Sequence, residues 1–425
     1  MASYEAALLI LLFFVMVFIH VPIMASLGLV IFLAFIMTGT HMIDIVMDSY
    51  YALDSFPMLA VPMFVLAGSL MATGGVAQRI LNLAEEFVGH MYGGLAIVTI
   101  FASLLFGGLS GSAPATVAAV GAITIPAMVK QGYSKGFAAG VAACAGVIAI
   151  IIPPSNPMII YSLSQPGTSV STMFIAGIIP GLVFALSMAI PAYVISKKNN
   201  WGGKKAKGTL QSRWNALKEA KWAILTPVII LGGIYSGVFT PTESAAVACL
   251  YAYIIGAFVH KELAIKDTYK VLSNAAIVTV IAMVLIPFAV TLCKLLTYYH
   301  IPELLTDVMS SSVSGKAATL LMIIALLVFL GCFMDTLASI IILTPLLYPL
   351  ANEFGMDQYQ FGIMLIMGLG LGFITPPLGG NLFIANQISN TSIQKVFTGS
   401  MPMLIGMVIG VIIIAFFPIL SSFLI

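Results

Sequence analysis

The chain has little charge. Of its 425 residues only 8% are Asp, Glu, Lys or Arg, 17 basic against 15 acidic. A soluble domain carries about a quarter charged residues, so a soluble enzyme of this length is excluded. A nucleic-acid binder, which needs a basic face, is excluded with it. Disordered chains are poor in apolar residues, whereas this one is 61% hydrophobic. Cysteine is scarce: Cys144, Cys249, Cys293 and Cys332 stand singly in apolar segments without CxxC spacing. That pattern supplies neither a disulfide framework nor a zinc site, and the four read as small buried hydrophobes. His20, His41, His90, His260 and His300 fall at or near the ends of apolar runs, and no HExxH occurs. Without a Walker A loop the chain does not hydrolyse ATP. The stretch Gly108 to Ser112 lacks the last glycine and the partner His of a nucleophile elbow. Gly368, Gly370 and Gly372 lie inside an apolar run with no strand–turn–helix context. No enzyme constellation is left. The N-terminus carries Glu5 and no Lys or Arg before His20, so it reads as a retained first span rather than a secretory signal.

Long apolar runs are what the chain has, with a mean hydropathy of +1.12. They fall near 4–20, 22–40, 55–73, 93–129, 136–165, 172–196, 222–236, 241–260, 271–294, 316–350, 358–388 and 396–424. Runs of about 20 residues cross roughly 30 Å of hydrocarbon, which makes this an all-α polytopic membrane protein. Residues 197–221 hold eight of the Lys and Arg and one Glu, and Lys261, Lys266 and Lys270 form a second basic cluster. The loop 41–54 carries Asp44, Asp48 and Asp54 without a basic residue. The positive-inside rule places the basic loops in the cytoplasm. Both termini then lie outside, provided 93–129 and 316–350 do not cross.

Those two runs are unusual. Each has two apolar arms, about 13–16 residues long in the first case and short for a span. The arms flank a tip of Gly, Ser and Pro (Gly107 to Pro114) or of Gly331 to Thr336. Non-helical backbone at membrane depth survives only when buried in protein or lining a cavity, so both read as re-entrant hairpins. Comparing them uncovers a repeat at an offset of 223. Gly108 pairs with Gly331, Pro126 with Pro349, Gly132 with Gly355, and Pro153-Pro154 with Pro376-Pro377. Pro62 and Pro287 correspond further upstream, two residues out of register.

By this topology the halves are inverted. Inverted repeats with interrupted helices at matching places point to the binding site of a secondary transporter. Proline removes an amide donor and clashes with the carbonyl four residues earlier, so each helix breaks at its Pro-Pro. The freed carbonyls, with Ser155 and Asn156 or with Gly379, Gly380 and Asn381, offer oxygens to a small hard cation. The facing tips add Ser110 and Ser112, or Asp335 and Thr336. Asp335 is the one acid in a hairpin tip; an intramembrane carboxylate suggests function, and capping of the following arm is a compatible role. Ser110 and Ser112 read as ion or substrate contacts or as local turn partners. Lys294 reads as an interfacial snorkelling residue and Glu243 as a first-turn acid. The pattern of 74–91 is that of an interfacial amphipathic helix, as is 299–314 with Glu303 and Asp307.

FGGLSGSAPATVAAVG, IIPPSNPMIIY and GFITPPLGGNLF resemble the large membrane (M) subunit of tripartite ATP-independent periplasmic (TRAP) transporters along essentially the whole chain. The resemblance implies an elevator-type fold of the ion-transporter superfamily. Residues 1–92 and 222–315 would be scaffold spans with arm helices, and 197–221 a basic cytoplasmic loop. Residues 93–196 would form the first transport repeat (hairpin 93–129, broken helix 136–165, span 172–196). Residues 316–425 would form the second (hairpin 316–350, broken helix 358–388, last span 396–424). It implies sodium-driven uptake of an anionic organic acid (sialic acid, C4-dicarboxylate or sugar acid) across the bacterial inner membrane, with two or more Na+ co-transported. One Na+ would sit among Gly108, Ser110, Gly111, Ser112, Pro154, Ser155 and Asn156. A second would sit among Gly331, Asp335, Thr336, Thr375, Pro376, Gly379 and Gly380. Ser112, Asn156 and Asn381 would meet the substrate. It also implies a periplasmic substrate-binding protein and a small four-helix membrane subunit, expected as a separate chain because this one begins with the large subunit's first span. A proton-coupled carrier of the same architecture and, in a different class, an ion channel remain the alternatives.

Overall fold

Helices that are apolar all round carry no amphipathic stripe to mark their ends, so caps, glycines and prolines mark them instead. The computed structural model describes residues 2–19, 21–39, 42–203, 207–301, 304 and 315–425. In chain order the helices are α1 (Ala2–Phe18), α2 (Ile23–Thr38), α3 (Met42–Leu53), a 3-10 turn Phe56–Leu59 leading into α4 (Ala60–Thr73), and α5 (Val76–Val88). Next come α6 (Gly94–Ser110), α7 (Ala113–Lys130), α8 (Lys135–Gly146) with a 3-10 turn Val147–Ile150, α9 (Asn156–Ser164) and α10 (Val170–Lys198). α11 (Leu210–Tyr235), α12 (Pro241–Ile254) with a π turn Ile255–Val259, and α13 (Ile265–Tyr298) follow. The last are α14 (Lys316–Gly331), α15 (Thr336–Glu353), α16 (Gln358–Gly372), α17 (Gly380–Ser389), α18 (Ile393–Phe416) and α19 (Ile419–Ser422). Among the described residues no strand forms beyond an isolated bridge between Tyr92 and Gly202.

The repeat is visible in where helices start. α7 and α15 begin at Ala113 and Thr336, α8 and α16 at Lys135 and Gln358, α10 and α18 at Val170 and Ile393, each pair 223 apart. Side chains at matching places cap these starts: Ser134 accepts from the Phe137 amide, Asp357 from Tyr359 and Gln360. Each satisfies amides that the first helical turn leaves unpaired. Glu243 and Thr240 form a capping box at the start of α12, as the first-turn position of the acid led one to expect.

Helix lengths depart from the apolar runs. The arms of the first hairpin have 17 and 18 residues, longer than the expected 13–16, and those of the second have 16 and 18. Pro126, Pro345 and Pro349 lie inside helices that their neighbours hold continuous, as membrane helices allow. Among the described residues seven helices are long and apolar enough to cross a membrane, α7 and α15 included. α10 runs through Lys198 and α11 starts at Leu210, so much of the basic segment 197–221 is helical. α5 buries Ile80, Leu81 and Ala84, leaves Gln78 and Asn82 exposed and half-buries Arg79, Glu85 and Glu86, matching its amphipathic pattern. Of its proposed counterpart, 302–303 and 305–314 lie outside the described residues.

Two groups of helices pack together. α4 lies against α12 and α13, α13 against α2 and α3, and α5 against α11. In the other group α8 lies against α7 and α18, α10 against α6 and α18, and α14 against α16. The halves exchange ends: α9 packs on α15, and α17 packs on α7 and α8. Every residue of α8 from Phe137 to Gly146 is buried. Its small side chains let neighbouring backbones approach, the main source of attraction between helices when the solvent is lipid.

Candidate functional site

The first tip is built by the end of α6. Ser110 closes that helix, Gly111 turns left-handed at φ +57, and Ser112 takes the N-cap position of α7. The turn needs glycine twice over. A side chain resists that φ, and a Cβ here would lie 3.2 Å from the Pro154 carbonyl oxygen and 3.3 Å from the Asn156 nitrogen. The tip is thereby seated on the break between α8 and α9, as the spacing led one to expect. Gly108 touches the same break, its Cβ position 3.0 Å from the Pro153 carbonyl oxygen. The buried Ser110 hydroxyl lies 2.8 Å from that of Thr116. The Ser112 side chain makes no capping bond and is half-buried.

The break itself is short. α8 tightens into its 3-10 turn, and residues 151–155 carry the chain to α9. Pro153-Pro154 is cis, as is Pro376-Pro377 in the second half. Ser155 donates its hydroxyl to the Ile150 carbonyl at 2.6 Å. Its side chain is therefore oriented by the turn, with the hydroxyl oxygen's lone pairs left for a cation, while its carbonyl accepts the Ile159 amide at 3.2 Å. Asn156 opens α9; it is buried and its Oδ1 has no hydrogen-bond partner.

In the second half α14 ends at Gly331, and Asp335 occupies the N-cap of α15, its Oδ2 accepting from the Leu337 amide at 2.9 Å. The capping role weighed for this acid is real, and one carboxylate oxygen carries it. Thr336 is buried behind it. The Gly331 Cβ position lies 2.6 Å from the Leu369 carbonyl oxygen, and Gly331 meets Gly372 backbone to backbone. Cys332 lies within hydrogen-bond reach of Thr375, whose hydroxyl donates to the Leu371 carbonyl at 2.8 Å. The tip thus reaches the second break, 373–379, where Pro376, Pro377 and Leu378 are exposed. Gly379 is left-handed at φ +47 and Gly380 starts α17.

Asn381 behaves differently from its expected role in the second site alone. It is fully buried, and its Nδ2 donates at 2.9 Å to the Ala143 carbonyl in α8, the first half's broken helix. That bond orients the side chain and leaves Oδ1 without a partner. Both asparagines singled out from the sequence therefore carry a buried, unpartnered oxygen. Such oxygens are uncommon in native interiors and suit a cation or a ligand donor. Two participants escaped the sequence reading. Thr116 stands within the same SGSAPAT stretch as Ser110, and its hydroxyl spacing was the available signal. Ala143 contributes only a carbonyl, for which no sequence signal exists.

A polytopic helical chain with two repeated hairpin–broken-helix units, each tip seated on its own break, has the build of a secondary membrane transporter. Its own family follows from comparison. The family model described as "Tripartite ATP-independent periplasmic transporter, DctM component" matches residues 10–420, and the chain belongs to that family. It is 41% identical to an isethionate TRAP transporter permease protein DctMQ of Oleidesulfovibrio alaskensis, over 95% of this chain and 64% of that one. This chain thus spans just under two thirds of that relative's length. It is 37% identical to the sialic acid TRAP transporter permease protein SiaT of Haemophilus influenzae, over 100% of this chain and 68% of SiaT. With the C4-dicarboxylate TRAP transporter large permease protein DctM of Rhodobacter capsulatus it shares 35%, over 94% of each. Among solved structures it is similar in fold to the YdaH transporter of Alcanivorax borkumensis, with a TM-score of 0.61 at 15% identity over 89% of this chain and 87% of that one. MtrF of Neisseria gonorrhoeae aligns with a TM-score of 0.59 at 13% identity, over 87% and 84%.

Proposed function

We propose that the chain is the large membrane subunit of a tripartite carrier that takes up a small organic anion with Na+. The observation that carries this reading is the pair of tips seated on broken helices, with the unpartnered oxygens of Asn156 and Asn381 at the two breaks. One Na+ sits among the oxygens of Gly108, Ser110, Gly111, Ser112, Pro154, Ser155 and Asn156. A second sits among those of Gly331, Asp335, Thr336, Thr375, Pro376, Gly379 and Gly380. Na+ is a hard cation served by such carbonyl, hydroxyl and carboxylate oxygens, and its charge offsets that of the substrate. The substrate's acid group meets Ser112 and the amides of Asn156 and Asn381. Relatives named for isethionate, sialic acid and C4-dicarboxylates support an organic anion as cargo.

Alternating access follows from a repeat unit moving against the helices around it. Residues 93–196 and 316–425 are the mobile body, and 1–92 and 222–315 the frame, an elevator arrangement. The chain sits in the inner membrane with its basic loops in the cytoplasm and both termini outside. A small membrane subunit and a periplasmic binding protein complete the system. The test is uptake into proteoliposomes containing all three components. Uptake requires an inward Na+ gradient and stops when that gradient is collapsed. Uptake driven by a proton gradient alone would replace Na+ with H+ in this scheme, and passive conduction by this chain without a binding protein would make it a channel.

A further inference from the structure

Away from the breaks, a cleft of about 740 Å³ opens where α8 and α18 begin and α10 ends. Lys135, Lys395 and Thr398 line it together with Phe137, Ile195 and Trp201. The first turns of α8 and α18 touch here, the Gly136 Cβ position lying 2.5 Å from the Lys395 carbonyl oxygen. That contact brings two exposed lysines to one place. Lys197 and Lys198, in the last turn of α10, add positive charge at the same end. Trp201 is a fixed wall: its carbonyl accepts the Gly93 amide at 2.9 Å, and its ring packs on Tyr133 and Phe137 at 5.2 and 5.0 Å.

The sign of the charge is the anomaly. The positive end of a helix dipole disfavours cations in the first turn, yet both helices carry a lysine there and no acid. The repeat supplies an internal control at its other end. There Lys135 is matched by Gln358, Ser134 by Asp357 and Lys395 by Thr172. Asp357 caps its helix in the ordinary way, and Gln358 donates to the Gly167 carbonyl at 3.2 Å. Of the two matched pairs, α8 with α16 and α10 with α18, only α8 and α18 carry a lysine in the first turn, and their starts line the open cleft with its aromatic and aliphatic walls. Lys316, in the first turn of α14, does not line that cleft.

We propose that this cleft binds the headgroup of an anionic membrane phospholipid. Its phosphate lies between Lys135 and Lys395, where it relieves both the mutual repulsion and the dipole mismatch. Its glycerol and upper acyl carbons lie against Trp201, Phe137 and Ile195, the mixed surface that aromatic residues provide at a membrane interface. A bound lipid then bridges the first and second halves at the crossing of α8 and α18. This assignment does not depend on the cargo or on the coupling ion.

The test is native mass spectrometry of the purified full chain titrated with phosphatidylglycerol or phosphatidylcholine. Phosphatidylglycerol is retained selectively. Each lysine contributes roughly fivefold near a membrane surface, so Lys135→Gln with Lys395→Gln weakens retention on the order of thirtyfold. Lys135→Arg with Lys395→Arg keeps it, and Lys266→Gln with Lys270→Gln leaves it unchanged. Circular dichroism checks that each variant is folded; the single glutamine variants, at about fivefold each, carry the test if the pair does not purify folded. Equal phosphatidylglycerol retention by the glutamine variants would overturn the proposal. So would complete displacement by an equal concentration of inorganic phosphate, which would make the cleft a free-anion site.

Discussion

The two breaks have the same local plan and different surroundings. Residues 153–156 are all buried, whereas Pro376, Pro377 and Leu378 in the second break are exposed. The helices laid over the two hairpins differ. α4 lies on α6, the first arm of its hairpin, and its Gly68 abuts the Ser110 backbone at the tip. α13, its counterpart by the Pro62–Pro287 match, lies instead on α15, the second arm of the other hairpin. One break is covered and the other is not. A repeat supplies two equivalent hairpin-and-break units, and the helices laid over them make those units inequivalent.

That contrast can be broken by mutation, and the largest effect is expected at Asp335. Its counterpart, Ser112, makes no capping bond, so the two N-caps separate charge from capping. We expect Asp335→Ala to lower Na+-dependent uptake on the order of tenfold to a hundredfold, the worth of a hydrogen bond to a charged group. Asp335→Asn preserves the cap but should lose uptake nearly as far. Retention of full uptake by Asp335→Asn would reduce the acid to a cap. Ser112→Ala should leave thermal stability unchanged while raising the substrate concentration needed for half-maximal uptake.

Accessibility sharpens the comparison next. With the four native cysteines replaced, Leu378→Cys should react with a hydrophilic maleimide roughly tenfold or more faster than Ser155→Cys, which is reached only by local opening. Equal rates would mean that the cover over the first break is not maintained in the membrane. Asn381→Ala and Asn156→Ala come third. Both lose an oxygen, but only Asn381 also loses its bond to Ala143, so its variant should be less stable by about 1 kcal/mol in thermal unfolding. The smallest contrast concerns the turns. Gly111→Ala should cost about 1–2 kcal/mol for its left-handed backbone. Met334 stands at the matching position without positive φ, and Met334→Gly should not stabilise the protein.

Much of this plan can be read from the sequence because Gly and Pro act locally. Pro153-Pro154 and Pro376-Pro377 mark the breaks, and Gly132 and Gly355 both adopt positive φ between a hairpin and its broken helix. Helix lengths are less legible, since a proline such as Pro349 stops a helix only where neighbours leave its freed carbonyl unsatisfied. Burial of the breaks is not legible at all. The Ser110 tip that lies on the first break is itself abutted by Gly68 of α4, some 40 residues away, and no local pattern encodes which arm a distant helix will choose. The Asn381–Ala143 bond belongs to the same class, because a backbone carbonyl has no letter of its own.

The exchange of ends between the halves bears on how the chain is made. α9 finishes against α15, and α17 against α7 and α8, so each half completes its surface with a piece of the other. Synthesis is directional, and early segments fold before later ones exist. When Ser164 leaves the ribosome, nearly two hundred residues must follow before α15 is available to cover α9. Through that interval the first half waits with the face of α9 that α15 will cover still unmatched. Biogenesis of this protein therefore ends with a late docking of two half-built bodies, and truncation anywhere before residue 389 should yield a chain that is degraded rather than a stable half-carrier.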